Sequence, residues 1–166
     1  MPTAVHVNTY THTTTHVATN LVRSLKQIVV GCGLDASKLV GCWQTIERGV
    51  ATWLGSRHLR RVILEIYEVR SSGLVTRFDF DIDYGYHPAG DGALWLDPET
   101  VAYGIRKAGA VPATCNYDVL VETAPGHPAV SGWTEGTLRS TADLHRRSVG
   151  SAVGGGSLGA SLSYWR

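Results

Sequence analysis

Residues 74–84, LVTRFDFDIDY, alternate strictly between apolar and charged side chains over their second half. Phe78, Phe80, Ile82 and Tyr84 fall on one side, and Arg77, Asp79, Asp81 and Asp83 on the other. A period of two is the signature of a strand with unlike faces. Such a strand needs a pairing partner and a cover for its apolar side. The partner is at hand in Leu59–Arg70, where Val62, Leu64 and Ile66 face one way and Ile63, Tyr67 and Val69 the other. Ser71-Ser72-Gly73 supplies the turn between them. The expectation is a half-buried antiparallel hairpin with the aspartates on a solvent face. Tyr117, Val119 and Val121 read as a third strand, broken by Ala124-Pro125-Gly126-His127-Pro128.

Helices that can cover this sheet are marked by a different period. Val17, Leu21, Leu25, Ile28 and Val29 recur along one helical face, with N-cap candidates at Thr13 to Thr15 and a stop at Gly31 and Gly33. Trp43, Ile46, Val50, Trp53 and Leu54 give a second helix, weakened by about 1 kcal/mol at Gly49. Asp35–Gly41 reads as a connection. Asp97-Pro98-Glu99 has the grammar of a helix start, and Val101, Ala102, Ile105 and Ala108 follow as its buried face up to Gly109. The sum is an α+β domain, with about three helices on one face of an antiparallel sheet. Ser131–Arg166 is too rich in Gly and Ser for a helix, but it carries spaced apolar residues suited to late strands.

The chain of 166 residues is expected to form one domain, and its net charge of +1 sets up no global field for nucleic acid or membrane. Three cysteines without C-x-x-C spacing argue for a reducing, cytoplasmic setting. No signal peptide and no run long enough to span a membrane is read.

Few motifs point to chemistry. Gly154 to Gly159 matches G-x-G-x-x-G, but too few residues follow for the helix and acid of a dinucleotide site. His12 and His16 have the spacing of zinc ligands, but Thr13 stands where a zincin needs its Glu. No G-x-S-x-G elbow is present. Asp79, Asp81 and Asp83 would project from one strand face about 7 Å apart, so a metal-dependent nucleotidyl or phosphoryl-transfer enzyme is the enzymatic alternative. Residues 137–166 carry Arg139, Arg146, Arg147 and Arg166 against Asp143, a local excess of three positive charges. That excess admits a nucleic-acid-binding module, but a solvated rim is the simpler expectation. No catalytic residue, cofactor or metal is assigned.

Taken in order, THTTTHVATNLVRSL, the Trp-bearing second helix running into LRRVILEIYEV, FDFDIDYG, the Asp-Pro-Glu helix, and GWTEGTLRSTADLHRRSVGS followed by GASLSYWR resemble the bacterial HORMA domains found in CBASS anti-phage operons. The resemblance implies a binding module with an N-terminal arm at 1–12, a core at 13–130 and a C-terminal safety belt at 131–166. The belt would close around an extended closure-motif peptide added as a strand. The implied belt residues are Trp133, Leu144, Arg147, Val149, Val153, Leu158, Leu162, Tyr164 and Trp165. Implied partners are the peptide, a cGAS/DncV-like nucleotidyltransferase, an AAA+ ATPase that reopens the domain through Val5, Val7 and Tyr10, and a second HORMA protein.

Overall fold

The computed structural model describes residues 9–85 and 94–166. Helix α1 (Thr9–Gly31) lies against α3 (Trp43–Gly55) and α4 (Pro98–Ala108), with the short α2 (Ser37–Gly41) between the first two. The strands are β1 (Leu59–Glu68), β2 (Leu74–Asp83), β3 (Trp95–Leu96), β4 (Cys115–Thr123), β5 (Arg146–Gly155) and β6 (Leu158–Trp165). They form one six-stranded sheet in the order β3-β5-β6-β2-β1-β4, and every neighbouring pair is antiparallel.

The hydrophobic period of α1 has the expected consequence: Val17, Leu21, Leu25, Ile28 and Val29 are all fully buried. The helix starts earlier than its threonines suggested, at Thr9, so Thr13 and Thr14 are buried inside it rather than capping it. Thr14 Oγ1 instead donates back to the Thr11 carbonyl at 2.9 Å. Tyr10, expected in an extended arm, is helical. Its hydroxyl donates to the Leu54 carbonyl at 2.6 Å, and the Arg57 guanidinium lies 4.5 Å from its ring centroid. Val5 and Val7 lie outside the described residues. The segment 35–41, expected as a connection, contains α2, tied to the sheet where the Leu39 N–H donates to the Tyr117 hydroxyl at 3.1 Å. Helix α4 begins as its sequence predicts: Asp97 Oδ1 accepts from the Glu99 and Thr100 N–H groups, and Pro98 stands in the first turn.

Register puts the two faces of the sheet in sharp contrast. Val62 and Leu64 of β1 pair with Phe80 and Phe78 of β2, which in turn pair with Leu162 and Tyr164 of β6. This is the face under the helices. Gly104 of α4 makes the approach possible, because a Cβ there would stand 3.0 Å from Leu162 Cδ2 and 3.4 Å from Val149 Cγ2. The opposite face pairs Glu65 with Arg77, Ile63 with Asp79, and Arg61 with Asp81.

Only the far end of that charged face, at Asp83, is the solvent face expected from the alternation. Glu65 and Asp79 are fully buried, and Arg77 nearly so. Arg77 donates to Asp79 from Nε at 2.7 Å and from Nη2 at 2.9 Å, and the Trp165 indole N–H donates to the same carboxylate at 3.1 Å. Burial alone would lower the Arg77 pKa. The bonds to Asp79, with the charges of Asp79, Glu65 and Glu122, outweigh burial and raise it. Asp81 is held by Arg61 at 2.8 Å and by Arg146 at 2.9 Å. The alternation shows which side chains share a face, but not that residues 137–146 return to cover that face.

Asp79 and Asp81 are thus held by arginines, while exposed Asp83 accepts from the Gly85 N–H at 2.8 Å. Among the described residues no group of three or more His, Cys, Asp or Glu is placed to hold a metal. Asp79→Ala leaves Arg77 buried without its partner and should lower unfolding stability by about 3–5 kcal/mol. Urea denaturation measures this, and Mg²⁺ should leave the wild-type midpoint unchanged.

Candidate functional site: the open edge of the sheet

Among the described residues the sheet ends at β4, with no further strand beside it. At the start of this edge Tyr117 is already occupied. Its carbonyl accepts from Lys38 Nζ at 2.5 Å, and its N–H donates to the Asn116 side chain at 2.8 Å. In an antiparallel strand, backbone groups turn to the same side every second residue. Val119 and Val121 therefore turn their N–H and C=O groups outward as Tyr117 does. An unpaired edge of this kind is a template for one more strand.

A groove of about 710 Å³ runs along this edge. One wall comes from α2 and α3, where Leu39 and Ile46 give an apolar surface beside Lys38 and Thr45. The floor is β4, and the outer wall is the chain at 132–137. Cys42 is exposed and also lines the groove.

The outer wall is fastened on both sides of the edge. On the helical side, Trp133 Nε1 donates to the Thr45 carbonyl at 2.9 Å, and its ring meets Trp53 edge-on at 5.1 Å between centroids. Gly49 provides the seat, since a Cβ there would stand 2.6 Å from Trp133 Cε2. The residue that looked like a weak point of the helix is thus the place where an indole packs on it. Trp53 Nε1 also donates to the Pro128 carbonyl at 2.7 Å, and Arg48 Nη2 to the Ser131 carbonyl at 2.9 Å.

On the far side the chain has passed round the edge to the charged face. Leu120 Cδ2 comes within 3.5 Å of where a Cβ on Gly136 would stand. Arg139 then makes three hydrogen bonds to the sheet. Its main-chain N–H donates to Glu65 Oε2 at 2.8 Å. Its Nη1 donates to Glu65 Oε1 at 2.9 Å and to Asp118 Oδ2 at 3.1 Å. The guanidinium also lies 3.5 Å from the Tyr67 ring centroid. Burial would raise the Asp118 pKa, but bonds and charge from Lys38 and Arg139 hold it below its ordinary value. Residues 133–139 thus arch over the open edge from the helices to the opposite face.

The remaining sequence-predicted residues divide by position. Trp133 lines the groove. Val153, Leu158 and Leu162 are fully buried, and half-buried Val149 and Tyr164 pack against the core. Trp165 braces the charged face through Asp79 and accepts from Thr76 Oγ1 at its carbonyl. Leu144 is half-buried and Arg147 exposed. All but Trp133 and Leu144 belong to the β5–β6 hairpin, which pairs with β2 on the side of the sheet away from the groove. Gly154 to Gly159, rejected as a phosphate loop, is the hairpin bend, with Gly156 at φ 58°. Arg139 and Arg146, expected on a solvated rim, are tied to carboxylates of the sheet. Glu65 and Gly49 carried no signal as site residues, because their partners lie 74 and 84 positions along the chain.

The family model described as Bacterial HORMA domain 2 matches residues 2–166. The chain belongs to that family. No curated protein matches it in sequence. Among solved structures, a chain of the mitotic checkpoint complex is similar to it at TM-score 0.64 and 11% identity, covering 90% of this chain and 97% of that one. Caenorhabditis elegans HTP-2 bound to the HIM-3 closure motif is similar at TM-score 0.54 and 12% identity, covering 80% of this chain and 71% of that one. Caenorhabditis elegans HTP-1 bound to HTP-3 motif-1 is similar at TM-score 0.53 and 12% identity, with the same coverages. At these identities the likeness is one of fold, and it agrees with the HORMA-like α+β class expected from the sequence. No described helix of this HORMA domain is long and apolar enough to cross a membrane.

Two outcomes follow for the arch. Gly49→Ala, favourable by about 1 kcal/mol in an exposed helix, should here destabilise by about 1–3 kcal/mol by pushing against Trp133, with a change in tryptophan emission. Asp118 has a depressed folded pKa, so its contribution is complete above the ordinary carboxylate value of about 3.9 and is lost as pH falls through the folded value. Asp118→Asn should therefore flatten the acid limb of a stability–pH curve measured by denaturation.

Proposed function

We propose that this HORMA domain is a peptide-binding signalling switch rather than an enzyme. Its ligand is an extended closure-motif peptide, which adds to β4 as a further strand beneath the arch of residues 133–139. The observation that carries this reading is the unpaired β4 edge with a groove beside it and a strap across it. Main-chain bonds to Val119 and Val121 supply affinity independent of sequence, and the apolar surface of α2 and α3 selects alternate side chains. Trp133 closes the groove. Val149, Val153, Leu158, Leu162, Tyr164 and Trp165, with Leu144 and Arg147 leading into them, hold the hairpin on the β2 edge. This is the placement that leaves β4 free, as in the closed form of a safety belt that moves between two edges.

The finer reading rests on the resemblance of the ordered sequence segments to domains from CBASS operons. In it the peptide-bound domain acts in the cytoplasm and activates a cGAS/DncV-like nucleotidyltransferase in anti-phage defence. An AAA+ ATPase reopens it from the N-terminal side, near Val5, Val7 and Tyr10. A second HORMA protein is a further partner. Copurification with the nucleotidyltransferase, and its product formation with and without this protein, tests that assignment.

The peptide site is tested at the edge itself. Proline is tolerated on an edge strand whose N–H points outward, but it removes one donor. Val119→Pro should keep the fold by circular dichroism and lower the affinity of peptides selected from a random library at least tenfold. Unchanged affinity would place the peptide elsewhere.

A further inference from the structure

The two fastenings of the arch differ in kind. On the helical side, residues 127–133 are joined to α3 by an indole seated on Gly49, two tryptophan hydrogen bonds, an arginine bond and two edge-on ring pairs. On the other side, among the described residues, every hydrogen bond and ion pair that joins residues 134–144 to the sheet is made by Arg139. Its principal partner, Glu65, is fully buried on the strand between β2 and β4. Neighbouring Arg77 has its Nε and Nη2 committed to Asp79, so both Glu65 oxygens depend on this one residue of the arch.

A buried ion pair adds little net stability, because desolvation offsets most of the attraction. Lifting residue 139 admits water to Glu65, which hydrates the carboxylate instead of leaving it orphaned. Unseating Trp133 instead gives up apolar burial and tryptophan hydrogen bonds together. The charged side is thus the side that parts more readily and still fixes one position when it closes.

We propose that the arch opens at Arg139, with residues 134–137 as the hinge and Trp133 remaining seated. Arg139 is a positioning residue, a clasp on Glu65 that returns the strap to one register. Given the reading of the groove as a peptide site, the clasp sets how long a bound peptide stays.

Hydrogen exchange followed by NMR on the full chain, without ligand, tests this. The Arg139 main-chain N–H, bonded to Glu65, should show at least tenfold lower protection than the Trp133 indole N–H, bonded to Thr45. Glu65→Gln should lower the protection at residue 139 at least a further tenfold and leave the Trp133 indole unchanged. Arg139→Gln reads the same backbone N–H if the Glu65 variant does not fold. Equal protection at the two sites, or a parallel fall at both, overturns the proposal. For peptides selected on the wild type, Arg139→Gln should shorten residence at least tenfold whatever the peptide sequence, and unchanged residence overturns the clasp. A library that yields no peptide overturns the peptide reading alone, since the exchange comparison needs no ligand.

Discussion

Two carboxylates in the middle of the sheet, Glu65 and Asp79, are held away from water, and the arrangement of the C-terminal third follows from how they are satisfied. Neither can be buried unless a cation and further donors are brought to it. Arg77 and Trp165 serve Asp79, and Arg139 serves Glu65. Two of those three residues lie beyond residue 137. The sheet face is therefore complete only when the chain has crossed it and its last strand has paired with β2. The helical face is different in character. It is an apolar core of Phe78, Phe80, Leu64 and Leu162 closed by helices that are continuous with it. One side of the sheet is held by packing and the other by electrostatic pairing with a returning segment.

Placing the hairpin on the β2 edge has a second effect, at the opposite end of the sheet. The chain leaves β4 and rejoins the sheet across β1 and β2, so it must pass over the β4 edge without pairing with it. Trp133 and Arg139 are the points at which that passage is pinned, one on each side of the edge. The groove is the space left between the pins. Its shape depends on Gly49 and on Glu65 as much as on the residues that line it.

Much of this was legible in the chain. The alternation in 74–84 fixes the β1–β2 hairpin, and the period of Val17 to Val29 gives α1. Asp97-Pro98 begins α4 where expected, and the late strands separated by glycine are present. What could not be read were events between distant positions. Alternation assigns Asp79 to a face but says nothing about what covers that face. Gly49 reads as a defect until an indole is placed against it. Arg139 resembles any surface arginine until its carboxylate, far back in the sequence, is known. The open edge is likewise a property of strand order rather than of Val119 or Val121 themselves.

A strap pinned on both sides of an edge also makes resistance depend on direction. A strand lying on β4 and pulled along its length would slide against a short row of edge hydrogen bonds loaded in shear. Pulled outward, away from the sheet, it would bear on the strap and load the indole seat and the arginine pair before any edge bond parted. The same contact surface is thus mechanically anisotropic, and tension transmitted through a neighbouring molecule would be resisted or yielded to according to its line of action.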